Sequence, residues 1–528
     1  MSNGAGRHRP PLLLVLVAGV VVAALLLPLA YLLIRVAGHP ARALEILGER
    51  GTWRLVWNTA VLVVGVVVAA VLVGVPLAWL VTRTDLPGRR VWAVAGALPL
   101  VIPSYVAALC LLGFFGERGL LADLLGIERF PDVTGYWGAL AALTLATYPY
   151  VFLLAQASLR DLDPSLEEAA RGLGIAGWRS FARVTAPAIR PAVGLGALLV
   201  ALYTLSDFGV VSLMRYDALT RAIYLQYRSL FDRTPAATLA LLLVALTAVA
   251  LVLEARTRRH GRLHRSGPGA ARPAPPVPLG RWTAPALAFC TLVTGLFIVL
   301  PAAVLVTWLA RGVANDRQLE APWAALVGSV GASGLAALAA ILAALPVAVL
   351  ATRYPSRRTR VLERLAYAGN ALPGLVIALS LVFFAARYAS PVYQTLALLV
   401  FAYVVRFFPQ AISGVESSML RINPRVEEAA RGLGRGPLST LALVTVPLAR
   451  SGVLAGAALV FLSAMKELPA TLLLRPIGFD TLATEIWKLT QVGAYSRASV
   501  PALVLIAVSA PFLWLISRDR RLASGTGG

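Results

Sequence analysis

Two carboxylates, Asp207 and Glu467, interrupt otherwise apolar runs, and Lys466 stands beside the second. An acid at mid-span costs about 2.5–3.5 kcal/mol on insertion scales, so it ordinarily faces protein or water rather than lipid. Asp207, Lys466 and Glu467 can line or gate a path for a polar solute. Lys466 and Glu467 can equally cap a helix end or pair for packing, and the sequence leaves both readings open. No constellation for bond-making chemistry accompanies them. Cys110 and Cys290 lie in apolar blocks without CxxC spacing, which argues against redox chemistry and structural zinc. Of His8, His39, His260 and His264, the last two have helical i, i+4 spacing, but they sit in a basic, proline-rich stretch with no carboxylate or cysteine nearby. A solvated loop is expected there, and no metal site. A phosphate-cradling loop requires Gly-x-x-x-x-Gly-Lys-[Ser/Thr], a context that neither lysine, Lys466 or Lys488, provides. The chain is therefore expected to be no enzyme and to hold no cofactor.

The elements that must position these residues are membrane helices. Hydrophobic residues make up 59% of the chain, in nearly uncharged blocks of about 20, the length that crosses a bilayer core of roughly 30 Å. Twelve spans are expected, near 11–34, 57–81, 91–115, 136–157, 191–213, 237–255, 284–308, 325–351, 362–386, 393–413, 451–474 and 500–517. The first follows a basic start but is too long for a signal peptide and lacks a clean cleavage site. The net charge of +23 would suggest nucleic acid in a soluble protein. Here the basic residues flank apolar spans, so they orient the chain in the bilayer and no nucleic-acid partner is expected. An even number of spans puts both termini on one side, and the Lys/Arg excess assigns that side to the cytoplasm. Arg256 to Arg281, with seven arginines and no acid, is rich in Pro and Gly and reads as a cytoplasmic linker between halves. Trp57, Trp79, Trp92, Trp137, Trp282, Trp308, Trp323 and Trp514 cluster at span ends, as an aromatic belt does.

The chain repeats itself. The run from Asp163 to Gly174, DPSLEEAARGLG, returns from Asn423 to Gly434 as NPRVEEAARGLG, with Pro149 matching Pro409 and Pro187 matching Pro447 at the same offset. Thr82-Arg83 pairs with Thr352-Arg353, and Pro76 with Pro346, at a slightly different offset. Two fused copies of like orientation imply a pseudo-two-fold axis along the membrane normal, with a path between the halves. The fold class is therefore all-α, a polytopic membrane protein of about 12 spans in two homologous six-span halves. The expected domains are a first span and external segment (1–56), a first half (57–258), a linker (259–283), a seventh span and external segment (284–324), a second half (325–517) and a cytoplasmic tail (518–528).

Between spans four and five of each half lies a cytoplasmic segment, EEAARGLGIAGWRSFARVTAPAIRP and EEAARGLGRGPLSTLALVTVPLARS. Each reads as a short helix, a glycine turn and a second helix returning to the membrane. Glu168 and Glu428 suit the positive end of the helix dipole, and the Ala pairs let another protein approach closely. Gly172/Gly174 and Gly432/Gly434 supply the break. Pro187 and Pro447 suit a kinked re-entry into the bilayer. These residues resemble the pattern of ABC-importer permeases: EAA, three residues, Gly, nine residues, Ile, one residue, Leu-Pro. Glu168, Ala169, Ala170, Gly174 and Pro187 meet that spacing, as do Glu428, Ala429, Ala430, Gly434 and Pro447. Val184 and Val444 stand for the Ile, Ala186 and Val446 for the Leu. The resemblance implies a type I importer permease whose paired loops couple to two copies of a cytoplasmic ABC ATPase. ATP and Mg would bind that partner, and an external solute-binding protein would deliver the cargo at the bacterial inner membrane.

A narrower resemblance follows span five. Ser206-Asp207-Phe208-Gly209 in the first half, and Lys466 to Pro476 with Thr481 to Trp487 in the second, are similar to the fused permeases of the ferric-iron importer family. That implies ferric iron as the cargo. Permeases for thiamine, polyamines and phosphonates share much of the pattern and stay as alternatives. An ion-coupled secondary transporter is the different-class alternative, disfavoured by the duplicated loop.

Overall fold

The computed structural model describes the chain apart from residues 1–9, 118, 129–130, 175–177, 230–232, 259–275, 316–318, 368, 370–371 and 524–528. His8, His260, His264 and most of the expected linker fall outside the described residues. Among those described the chain is helical, with only an isolated bridge between Thr84 and Val277. Among the described residues nine helices are long and apolar enough to cross a membrane, and the bent pair Leu441–Leu448 and Arg450–Met465 makes a tenth. Gly374–Tyr388 and Tyr495–Pro511 are shorter apolar helices. Of the twelve expected spans, ten thus fall on helices long enough to cross, counting the bent pair as one, and the other two fall on the shorter apolar helices; the fold is all-α.

Several expected spans are broken, some of them where the sequence withdraws backbone donors. The run over 91–115 is three pieces, Arg89–Ala95, a 3-10 turn Leu98–Val101 and Ser104–Phe115. Pro99 and Pro103 have no N–H to continue the ladder, and each disfavours helical geometry in the residue before it. The run over 362–386 divides likewise into Arg357–Tyr367 and Gly374–Tyr388, the latter preceded by Pro373. The runs over 191–213 and 451–474 stop at Ser206 and Met465, and the short helices Gly209–Leu213 and Pro469–Leu474 follow.

The helices group into two compact units, Leu44–Arg311 and the pair of segments Met1–Ala43 and Gly312–Gly528. The first helix, Leu12–Ala37, thus packs with the second repeat, on the helices Trp323–Arg353, Arg357–Tyr367 and Gly374–Tyr388. The seventh apolar segment packs with the first repeat, where Phe297 stacks at 4.7 Å on Tyr148. Span four of each repeat, Tyr136–Asp161 or Leu396–Met419, is the central helix of its unit. Glycines let neighbours reach it: a Cβ at Gly196 would sit 2.8 Å from Val151 Cα, and one at Gly456 would sit 3.4 Å from Gly414 Cα. Such small-residue contacts supply dispersion where the lipid offers no hydrophobic driving force between helices. Leu72, Val64 and Val68 in one unit and Leu335, Leu338 and Leu342 in the other are exposed, as a lipid-facing stripe must be.

Candidate functional site: the paired EAA loops and the ends of span five

The described residues of each EAA segment form the expected short helix, with Gly172 and Gly432 as its last residues and the break at Gly174 and Gly434. The helices are Pro164–Gly172 and Pro424–Gly432. The carboxylate of Asp163 accepts from Ser165 N–H at 3.0 Å, and the side-chain oxygen of Asn423 accepts from Arg425 N–H at 3.1 Å. These caps satisfy donors that the first turn leaves free. At the other end Gly434 N–H donates to Arg431 O and Arg435 N–H to Ala430 O, at 3.0 and 3.2 Å. This Schellman termination needs a left-handed residue, and Gly434 has φ +83° and Gly174 φ +76°.

The helices sort their residues by face. Glu168, Ala169, Glu428 and Ala429 are exposed, while Ala170 and Ala430 are buried against the rest of the loop. Leu173 and Leu433, which sequence reasoning did not single out, are 80% and 86% exposed. A leucine that open to water in a polar loop is an interaction surface in waiting. The signal was present in the repeated Gly-Leu-Gly, where a residue between two turn glycines has nowhere to be buried. The opposite face carries a second omission: Glu427 is buried and paired with Arg353.

The return to the membrane is alike in both repeats up to a point. A π-turn, Phe181–Thr185 or Leu441–Thr445, precedes Pro187 or Pro447 by one residue. Proline cannot donate to the carbonyl one turn back, and a widened turn is one way to accommodate that loss. The kink expected at both prolines occurs at one. The second repeat bends by 71° between Leu448 and Arg450, whereas Phe181–Ser206 continues as one span. Pro187 is half-buried and Pro447 is exposed.

Asp207, Lys466 and Glu467 lie at the other end of span five, and the structure does not bring them to the EAA loops. Ala186–Ser206 has 21 residues, and at a rise of 1.5 Å each it separates the two sites by about 30 Å. Asp207 is buried; it accepts from Ser104 Oγ at 2.5 Å and from Val210 N–H at 2.8 Å, capping the short helix Gly209–Leu213. Glu467 is the counterpart, accepting from Ala470 N–H at 3.3 Å at the start of Pro469–Leu474. It also pairs with Arg406 Nε at 3.1 Å. Lys466 is half-buried at the end of Arg450–Met465. By repeat position Ser104 corresponds to Gly374 and Ala146 to Arg406. In the second half the missing side chain at 374 makes the room that the Arg406 guanidinium fills, since a Cβ there would collide with Arg406 and Glu467. One half satisfies its acid with a hydroxyl and the other with a cation. No cluster of three His, Cys, Asp or Glu side chains able to hold a metal occurs among the described residues.

Comparison with known proteins gives this architecture a family. Residues 70–259 and 336–518 each match the binding-protein-dependent transport system inner membrane component. The Fe(3+)-transport system permease protein FbpB 2 of Haemophilus influenzae is 32% identical over 516 residues, 97% of this chain and 99% of that protein. The ferric transport system permease protein FbpB of Actinobacillus pleuropneumoniae is 23% identical over 91% of this chain and 74% of its own. The sulfate transport system permease protein CysT of Escherichia coli is 33% identical, over 26% of this chain and 50% of its own. With the family domain present twice and a relative matched nearly end to end, the chain belongs to the binding-protein-dependent inner-membrane components, and is a multi-pass permease subunit of an ABC transporter rather than an enzyme.

Proposed function

We propose that this permease moves ferric iron from an external solute-binding protein into the cytoplasm. The observation that carries the cargo is the near end-to-end similarity to a relative named for Fe(3+) transport, 97% of one chain on 99% of the other. The sulfate permeases match shorter stretches, 26% of this chain for the protein from Escherichia coli. They supply the second reading, a sulfate cargo; thiamine, polyamine and phosphonate stand behind it. Two copies of a cytoplasmic ATPase dock on the helices Pro164–Gly172 and Pro424–Gly432, with ATP and Mg bound to them. Glu168, Ala169, Glu428 and Ala429 present the docking face, Leu173 and Leu433 extend it, and Gly174 and Gly434 set the turn. Ala170 and Ala430 seat each helix, and Pro187 and Pro447 follow the turn back into the bilayer. Both termini and the linker face the cytoplasm. Asp207, Lys466 and Glu467 belong to the path at its external end, where the two acids also cap the short helices that follow span five.

The absence of converging oxygen ligands among the described residues is compatible with iron, because a pathway must release its cargo and tight capture can be left to the external protein. The test is uptake of radiolabelled ferric iron into proteoliposomes holding this chain, its ATPase and its binding protein. Uptake should require all three and should cease with vanadate. Uptake of sulfate, thiamine, polyamine or phosphonate with none of iron would overturn the cargo and leave the permease.

A further inference from the structure

The buried side of the second coupling helix carries a junction of three elements. Arg353, in the last turn of span two (Trp323–Arg353), places Nε 3.0 Å from both carboxylate oxygens of Glu427 and Nη2 2.9 Å from Oε1. The same guanidinium donates to Met419 O at 3.1 Å, at the end of span four. Glu427 sits in the first turn of the coupling helix and also accepts from Thr445 Oγ1 at 3.0 Å. Thr445 closes the π-turn that leads into span five. Arg431, one helical turn on, lies 4.0 Å from Oε2. Glu427 is 5% exposed and Thr445 2%. A single carboxylate thus ties the coupling helix to the ends of spans two, four and five.

The internal repeat keeps the same set. Arg83, Glu167 and Thr185 occupy the equivalent positions. Arg83 and Thr185 are buried, and Arg83 Nη2 reaches toward Leu162 O, at the end of span four, at 3.5 Å. Outside the repeated motifs the halves diverge: at the acid beyond span five, Ser104 and Ala146 answer to Gly374 and Arg406. Arg and Glu lie within the repeated Thr82-Arg83/Thr352-Arg353 and EEAARGLG segments, and Thr lies two residues before the matched Pro187/Pro447, so the set recurs together with the motifs that carry it.

We infer that Glu427 is a positioning residue that transmits displacement of the coupling helix to spans two and five through Arg353 and Thr445. The inference rests on the reading that the loop docks an ATPase, but it concerns the side of the helix turned away from any partner. A charge-assisted bond set is stiff in length and direction, so a push on the helix moves the span ends rather than being absorbed. Removing the set leaves the docking face intact and lets the helix move alone.

The experiment compares Glu427→Gln, Thr445→Val and Thr445→Ser in the full complex reconstituted with ATPase and binding protein. Measured at equal abundance are ATPase retained on purification, ATP hydrolysed, and solute transported per ATP. Glu427→Gln and Thr445→Val should retain the ATPase and continue to hydrolyse ATP. Their transport per ATP should fall about tenfold, the order expected for losing a hydrogen bond to a charged group. Thr445→Ser, which keeps the hydroxyl, should stay near the unaltered protein. A Thr445→Val protein with unchanged transport per ATP overturns the inference, including where Glu427→Gln fails to accumulate. So does a fall in transport that simply follows loss of bound ATPase. Failure of the docking reading looks different: Glu428→Gln with Leu433→Ser, on the outer face, would then leave ATPase retention unchanged.

Discussion

Replacing Gly434 by valine tests the turn that ends the coupling helix. The residue has φ +83°, and a Cβ placed on it meets nothing within 4 Å. The cost is thus all backbone: about 1–2 kcal/mol for a side chain in left-handed geometry, at the upper end for a β-branched residue. Gly174, at φ +76° and equally open, carries the same penalty. The strain is relieved by unwinding the Schellman turn, which moves Leu433 and releases the bonds from Gly434 and Arg435 to Arg431 and Ala430. At about 1.4 kcal/mol per tenfold change in an equilibrium constant, each site loses roughly 5–30-fold in the population of the docking-competent loop. Gly432→Ala is the internal control. It lies within the helix, two residues away and equally uncrowded, and should be neutral or stabilising by up to about 1 kcal/mol. Gly434→Asn should fall between, because asparagine tolerates this region. Uptake and ATP hydrolysis in proteoliposomes, at matched abundance, read the result. Normal uptake in the Gly174→Val, Gly434→Val protein, or equal effects of Gly432→Ala and Gly434→Val, would refute the reasoning.

Three further outcomes are expected. A cysteine at 268 should be unreachable by membrane-impermeant reagents outside intact cells and one at 320 should be labelled, with Cys110 and Cys290 silent because both are buried; labelling at 268 would reverse the orientation. Glu467→Gln should cost more than Asp207→Asn, since it strands the Arg406 guanidinium, and losing one partner of a buried pair costs about 3–5 kcal/mol. Asparagine can still accept from Val210 N–H, so equal losses of transport and abundance in the two variants would count against the capping geometry. Gly374→Ser should lower abundance by pushing the Arg406 and Glu467 side-chain ends apart, because its Cβ would meet both; abundance should return when Arg406→Ala and Glu467→Asp rebuild the set found in the first half.

Much of this protein is legible without its coordinates because its physics is local. A bilayer demands about 20 apolar residues for each crossing, so the spans announce themselves, and a repeated EEAARGLG beside basic span ends identifies the loops. Helix, cap and left-handed glycine in those loops all follow from near neighbours in the chain. What local pattern misreads is where an apolar run stops being helix: 91–115 and 191–213 read as continuous, yet Pro99, Pro103 and Asp207 break them. Equally hidden are partners brought from afar. Glu427 and Glu428 are adjacent and chemically identical, yet one is 5% exposed and held by Arg353 while the other faces outward. Which of them turns inward depends on the helix's rotation against span two, 74 residues earlier in the chain. The first helix packs with the second repeat and the seventh segment with the first, a choice made by surfaces and not by sequence order. Local composition decides that a segment is a membrane helix; tertiary packing decides its neighbours, because in lipid every apolar face is equally welcome and only close fit and paired charges tell one contact from another.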